Sequence, residues 1–271
     1  MWKDTTVTRR LRLDAPIVQG PFGSGLSSVG LVVAVSESGG LGSFGVHHLD
    51  GAGIRDVAAR IRARIGRAFA LNLWIPLDDA DEPRLGDAQW QLAVDLLRPW
   101  FEELRVPIPD RPARFAPRYE EQVETVLELR PPVFSFVFGV PAPDVLERCR
   151  RADITTIGAA TTPEEAKLLG DAGVDMIVAT GMEAGGHRVS FLREPESCLT
   201  GTLALVPQAV DTVRVPVIAA GGIADKRGIA AALALGASAA HIGGRQPPAI
   251  GYPLPLARAI AVQDRDHRHR W

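Results

Sequence analysis

The segment Val215–Arg245 (VPVIAAGGIADKRGIAAALALGASAAHIGGR) sets the strongest limit on how this chain can fold. Val215–Ala220 is a short apolar run with β-branched residues, suited to a strand covered on both faces. Gly221 and Gly222 follow at once, and Asp225 stands where a helix N-cap belongs. Gly228–Leu235 is rich in Ala and Leu and stops at Gly236, which reads as a helix with its terminator. Ser238–Ile242 is a second apolar run, closed by Gly243 and Gly244. A strand, a helix and a strand in this order make a parallel pair, so both Gly pairs emerge at the same sheet edge. Glycine backbone placed there can close on a phosphate, and a helix N-terminus favours its charge. One pair alone would indicate only a tight strand-to-helix turn. Two pairs a strand apart point to a phosphate site.

The same unit recurs from the N-terminus. Apolar runs at Ala15–Gly20, Leu41–Val46, Phe69–Ile75, Val133–Gly139, Ile154–Ala159 and Val174–Thr180 precede the two of the opening segment. Helical stretches separate them: Ser27–Ser38, Gly53–Ile65, Ala88–Leu104, Tyr119–Leu129, Pro143–Arg151, Pro163–Leu169 and Gly201–Val213. Before the helix at Pro163, Thr162 is an N-cap, Pro takes the first helical position and Glu165 the third. Eight strands alternating with helices match an α/β fold of the (β/α)8 TIM-barrel type, whose phosphate site usually follows strands seven and eight. A doubly wound sheet is the alternative. Leu77–Pro117 breaks the rhythm with an acidic loop, a helix and a proline-rich stretch, and is expected to be an elaborated connection after strand three. Residues 1–271 are expected to form a single domain.

Composition narrows the partners. A net charge of −2 leaves no basic footprint for nucleic acid. The opening MWKDTTVTRRLRLD has no apolar core and does not read as a signal peptide. The apolar runs are strand-length, so no membrane span is expected. Cys149 and Cys198 are too few for a disulfide framework or a zinc site and read as reduced thiols of a cytoplasmic protein. No metal site is expected.

In a barrel, reactive groups lie just past the C-terminal ends of strands. Those positions hold Gly20, Pro21 and Phe22, then His47 and His48, Asn72, Ser135 and Gly139, and Thr180. The loop Gly181–Phe191 (GMEAGGHRVSF) is the most specific of them, with Glu183, Gly185, Gly186, His187 and Arg188 close together. A Gly-Gly pair lets a planar ligand approach backbone. Imidazole is the side chain suited to proton transfer near neutral pH, so His187 is either a proton acceptor for a weak carbon acid or a flexible surface histidine. Adjacent His47 and His48 point apart and read as surface loop. Asn72, polar inside an apolar strand, either satisfies neighbouring backbone or contacts a polar cofactor.

PIVQGPFGSG (Pro16–Gly25), SESGGLGSFG (Ser36–Gly45), FALNL (Phe69–Leu73), SFVFGVP (Ser135–Pro141), MEAGGHR (Met182–Arg188) and PVIAAGGIADKRGIAAALALGA (Pro216–Ala237) together resemble the nitronate monooxygenases, formerly 2-nitropropane dioxygenases. The resemblance runs colinearly over Pro16–Arg245. It implies an FMN-containing TIM barrel that oxidises alkyl nitronates with O2 to a carbonyl compound and nitrite, with neutral nitroalkanes as a further candidate substrate class. Asn72 matches the family's flavin-contacting Asn, Gly185 and Gly222 match glycines at the FMN, and His241, Ile242, Gly243 and Gly244 match its last phosphate-binding segment. His187 matches the base for neutral nitroalkanes. By the same placement Gly20, Pro21, Phe22, Thr180, Gly186 and Gly221 are expected around the cofactor. The sequence departs from the family at Phe22 (often Met), Thr180 (often Gln) and Gly244 (Thr).

The family continues well past Arg245, whereas here QPPAIGYPLPLARAIAVQDRDHRHRW follows. The C-terminal end reads as shortened or replaced, with Leu256–Val262 as its only helical stretch. Two other functions stay open. One is an enoyl-acyl-carrier-protein reductase that uses FMN and NAD(P)H and shares a Glu-x-Gly-Gly-His loop. The other is a degenerate FMN-binding barrel without turnover. The expected partners are a small-molecule substrate and O2, and a homodimer is kept open.

Overall fold

The computed structural model describes residues 2–23, 26–76, 86–112, 114 and 116–243. Gly244 and the ending Gln246–Trp271, with its helical stretch, lie outside the described residues, as does most of the acidic loop after strand three.

The strands are β1 (Ile17–Gln19), β2 (Gly42–Gly45), β3 (Phe69–Trp74), β4 (Val133–Val137), β5 (Thr155–Ala160), β6 (Met176–Thr180), β7 (Val217–Ala220) and β8 (Ala239–Ile242). All pair in parallel, in the order β1-β8-β7-β6-β5-β4-β3-β2. The ring closes between β1 and β2 through Val18 and Leu41: Gln19 N donates to Leu41 O and Leu41 N to Ile17 O, both at 2.9 Å. One residue further along, the Gln19 side chain takes over, its Oε1 accepting from Ser43 N at 3.0 Å. A buried amide here replaces a ladder bond that two diverging short strands cannot make. The alternating chain is thus a (β/α)8 barrel, not a doubly wound sheet.

The helices are α1 (Thr6–Leu11), α2 (Val29–Glu37), α3 (Gly51–Arg62), α4 (Asp87–Leu104), α5 (Tyr119–Leu129), α6 (Pro143–Arg151), α7 (Pro163–Asp171), α8 (Thr202–Thr212) and α9 (Lys226–Ala234). Their starts follow local chemistry. Ser28, Asp50, Thr162 and Asp225 each accept a backbone N–H within the first turn of the helix they precede. Among the described residues no helix is long and apolar enough to cross a membrane.

Two buried layers follow from the period-two alternation of the strands. Phe69, Leu71 and Leu73 of β3 face outward into a cluster with the helices, joined by Ile54, Val126 and Leu205. Ala70, Val133, Ile157, Met176, Ile218 and Ala239 face the barrel axis. Val7 and Leu11 of α1 belong to that inner layer, packed with residues that begin strands. No apolar run marks an element before Ala15 in the sequence. The structure instead seats a one-and-a-half-turn helix there as a plug in the N-terminal end of the barrel, capped by Thr5 and Thr8 reciprocally.

Residues 78–117 form a second compact unit, inserted after β3. Its described part is built on α4, which carries Pro99 inside it and ends in the left-handed residue Arg105. Arg111 closes back on Asp87 at 2.8 Å.

Candidate active site at the C-terminal mouth of the barrel

Alternation along the strands decides which side chains reach the mouth. Counting by twos from the inner layer places Gly20, Asn72, Ser135, Thr180, Ala220 and His241 on the axis side at the strand C-termini. The register joins them in a belt: Asn72 pairs with Ser135, Thr180 with Ala220, and Ala220 with His241. Asn72 is buried and its Nδ2 donates to Ser135 Oγ at 3.1 Å. The neighbouring strand thus satisfies part of the amide.

Ile242 falls on the other side of the alternation. Its side chain sits in the outer cluster, so only its backbone borders the mouth, where its carbonyl accepts from Gly20 N at 2.9 Å. Pro21 and Phe22 continue from Gly20 into the first loop, which Ser27 fastens by bonding both Phe22 N and Phe22 O at 2.9 and 2.8 Å. The Phe22 ring reaches Gly243, with 4.0 Å between its Cε1 and a Cβ built there. A Cβ on Gly20 would lie 3.1 Å from His241 Cε1. Gly20, Phe22, His241 and Gly243 therefore form one cluster. Burial pushes the His241 imidazole down to about 4, so it is neutral at pH 7.

The glycines of the mouth differ in what they permit. Gly185 and Gly186 face open space, with no heavy atom within 4 Å of an added Cβ, and Gly186 has φ +88°. Gly221 and Gly222 have φ +116° and +67°. Open backbone of this kind suits a flat, phosphate-bearing ligand at Gly185 and Gly186, whereas an added Cβ at Gly222 would meet Glu183 Cβ at 3.4 Å and one at Gly243 would meet Phe22 Cε1 at 4.0 Å. The α9 N-terminus is less free than the sequence implies. Asp225 Oδ1 accepts from Arg227 N at 2.9 Å and from Gly228 N at 3.4 Å, occupying helix donors that a phosphate would use. A phosphate at this corner would depend on the Gly221–Gly222 turn.

Two side chains of the Gly181–Phe191 loop are structural. Glu183 accepts from Thr202 N at 2.8 Å and Thr202 Oγ1 at 2.9 Å and so caps α8. Burial alone would raise its carboxyl. Hydrogen bonds from its own backbone N–H and from Thr202, with the Arg188 charge, outweigh that and hold it below the usual carboxylate range. Arg188 turns inward and donates to the carbonyls of Thr180 at 2.7 Å, Thr161 at 3.4 Å and Cys198. Thr180 therefore offers its carbonyl to Arg188, while its hydroxyl bonds Val178 O at 3.4 Å.

His187 stays exposed, but it does not stand alone. Its ring is edge-on to Trp74, at 4.9 Å between centroids, and Phe138 lies 6.4 Å away. His47 stacks on Trp74 at 3.9 Å with the planes 8° apart. His47 is half-buried, contrary to the surface-loop reading, and its Nδ1 has no partner among the described residues. Burial, then the neighbouring His48 and His187, push its pKa down to about 4. The two rings do not point apart: His48 meets His47 edge-on, at 5.4 Å between centroids, and only His48 is exposed. Trp74 and Phe138 went unnoticed in sequence because large apolar residues in a buried strand read as core. The left-handed φ of +69° at Phe138, unusual for a bulky side chain, was not visible there. Among the described residues, no group of three His, Cys, Asp or Glu is placed to hold a metal ion.

Comparison with known proteins places this geometry. The family model described as nitronate monooxygenase matches residues 5–246. A probable nitronate monooxygenase of Staphylococcus aureus (strain MSSA476) is 35% identical over 244 residues, covering 90% of this chain and 67% of that protein. The crystal structure of nitroalkane oxidase from Streptomyces ansochromogenes superposes with a TM-score of 0.75 at 34% identity, covering 88% of this chain and 66% of that one. FabK from Thermotoga maritima gives 0.64 at 28% identity, with 89% of this chain and 61% of that one covered. The chain thus spans just under two-thirds of the length of these two solved structures.

Proposed function

Because the chain belongs to the nitronate monooxygenase family, we propose that it is an FMN-dependent oxidoreductase that converts alkyl nitronates, and neutral nitroalkanes, with O2 to a carbonyl compound and nitrite. The observation that carries this reading is the mouth itself: open glycine backbone on one side, and His187 against an aromatic wall on the other. Asn72, Thr180, Gly185, Gly186, Gly221, Gly222, His241 and Gly243 would hold the cofactor, with Gly20, Pro21 and Phe22 closing its other edge. Bound there, the flavin would accept two electrons from the substrate; the protein supplies orientation and a proton acceptor.

The chain's own part in the reaction is proton management. A neutral nitroalkane must lose a proton from the carbon bearing the nitro group, and His187 is the group placed to take it. A preformed nitronate has already lost that proton. His47, which lies within electrostatic reach of His187, is neutral at pH 7 and so adds no full charge beside the proton acceptor. Glu183 caps α8 and Arg188 is bonded to loop carbonyls, which leaves His187 as the uncommitted side chain of the three.

The test is His187→Asn. General-base catalysis is worth about 10²–10⁴-fold, and the rate with a neutral nitroalkane should fall by about that factor while the rate with its nitronate falls far less. Equal losses on both would reduce His187 to a ligand-positioning group. Flavin reduction on stopped-flow mixing with NADH, in place of a nitronate, would favour a reductase. Protein purified without flavin would favour the barrel without turnover. We propose further that the chain acts on a small molecule, without nucleic acid, as a homodimer in the cytoplasm.

A further inference from the structure

An exposed imidazole on a loop needs something to aim it. Among the described residues no hydrogen bond reaches the His187 ring, and its ring contacts are Trp74 at 4.9 Å and Phe138 at 6.4 Å. Trp74 is the last residue of β3 and lies on the axis side, two positions beyond Asn72. It belongs to neither of the two buried apolar layers. Its face is covered by His47, stacked at 3.9 Å with the two planes nearly parallel, and Phe138 packs against it in a T-shaped contact at 5.2 Å. His47 is itself held from behind: a Cβ on Gly23 would stand 2.8 Å from His47 Cε1, so the first loop is pressed against the imidazole. Backbone, His47, Trp74 and His187 thus form one line of contacts from the first loop to the mouth.

We propose that Trp74, backed by His47, is the positioning residue that orients His187 toward the substrate. The proposal rests on His187 being the proton acceptor. Edge-to-face packing fixes a ring's tilt without using either nitrogen, which leaves both free for proton transfer. His47 suits the backing role because it is neutral near pH 7, and so adds no cation beside His187. Its stacking partner is the larger ring, and the two planes are parallel to within 8°. Without the indole, His187 samples orientations that miss the substrate carbon, and misplacement of a reacting group by about 1 Å can cost up to about 10²-fold.

The experiment uses flavin-loaded protein and the variants Trp74→Leu, Trp74→Phe, His47→Phe, His47→Ala and His187→Asn. Two quantities are read: the ratio of the rate on nitroethane to that on ethylnitronate, and the NMR position of the His187 Cε1–H signal, assigned by its loss in His187→Asn. Trp74→Leu should lower the ratio about tenfold and move the His187 signal toward its free-histidine position, as the indole ring current is lost. His47→Phe keeps a flat neutral ring and should change both less than His47→Ala. Should Trp74→Leu fail to fold, Trp74→Phe and His47→Ala carry the same comparison with smaller effects. A His187 signal and rate ratio unaltered in every folded Trp74 and His47 variant would overturn the proposal. If His187→Asn fails to change the ratio while the signal still shifts in Trp74→Leu, the packing role stands and the proton-acceptor reading falls.

Discussion

Glu165, buried at the start of α7, holds the far end of the loop that carries His187: its Oε1 accepts from Phe191 N at 2.7 Å and from Leu192 N at 3.1 Å. Its other oxygen accepts from Thr161 N at 2.6 Å and Thr161 Oγ1 at 2.7 Å. One carboxylate therefore ties the end of β5, the first turn of α7 and the loop after β6. Arg188 works from the opposite side, since it donates to Thr161 O as well as to Thr180 O. The loop is fastened by two oppositely charged side chains that share Thr161.

Replacing Glu165 with Gln keeps the shape but offers one acceptor oxygen where two are used. The amide NH2 would face two donors, and buried donors left without an acceptor cost about 1–3 kcal/mol in all. Glu165→Gln should lower unfolding stability by about that amount and speed amide exchange at Phe191 and Leu192. Unchanged exchange at those two amides in a folded variant would show that the carboxylate does not hold the loop.

Glu165 also marks the limit of what the sequence discloses. Thr162, Pro163 and Glu165 read as the start of a helix, and Thr162 Oγ1 does accept from Glu165 N at 3.2 Å. The second half of a capping box, in which the Glu turns back to the N-cap N–H, is absent because Glu165 bonds a loop far along the chain instead. Local spacing cannot show a partner brought close only by the barrel. The strands were legible for the opposite reason: eight apolar runs carry their burial in their own composition, and each appears within a few residues of its expected place. The α1 plug was not legible, since two apolar side chains, Val7 and Leu11, bury it among five basic and acidic neighbours. At the site, the glycines and His187 stood out by type, whereas Trp74 and His47 gain meaning only from stacking across strands.

Acid stability should reflect the two depressed histidines. The ordinary imidazole value is 6.5, and both His241 and His47 lie at about 4 in the folded protein. Between those values the unfolded chain binds more protons than the native one, so stability is full above about pH 6.5 and is lost as pH falls toward 4. Urea midpoints measured at pH 7 and pH 4.5 should therefore drop, and drop less in His241→Gln, whose side chain does not titrate. An identical drop in that variant would place the acid sensitivity elsewhere.

Gly222→Asp separates cofactor binding from folding. Asp tolerates φ +67° better than most side chains, and its Cβ would meet Glu183 Cβ at an ordinary 3.4 Å. The new carboxylate would nevertheless stand beside the turn assigned to the phosphate, where like charge repels strongly in a partly dry site. The variant should fold, with an unchanged far-UV spectrum, yet purify without flavin absorbance near the visible maximum. Stoichiometric flavin in Gly222→Asp would remove the phosphate from this turn.

Thr202 gives the sharpest test of how the turn is held. Its Oγ1 lies 2.9 Å from Glu183 Oε2, 3.1 Å from Gly221 O and 3.2 Å from Ala220 O. One hydroxyl thus joins the His187 loop, the α8 N-terminus and the end of β7. The fit is close, because a Cβ on Gly181 would come within 2.0 Å of that oxygen. Thr202→Val keeps the volume and removes the hydroxyl, whose single proton the three oxygens share, so one hydrogen bond is lost while Glu183 keeps the Thr202 N–H. A lost neutral hydrogen bond is worth about 1 kcal/mol, and one to a charged group about 2. The unfolding free energy should fall by about 1–2 kcal/mol. If the loosened Gly221–Gly222 turn is the phosphate site, flavin should bind about tenfold more weakly as well, equivalent to about 1.4 kcal/mol. Thr202→Ser restores the hydroxyl and should recover both. A stability loss with unaltered flavin affinity would mean that the turn keeps its shape without Thr202 and that its φ values are fixed by the glycines alone.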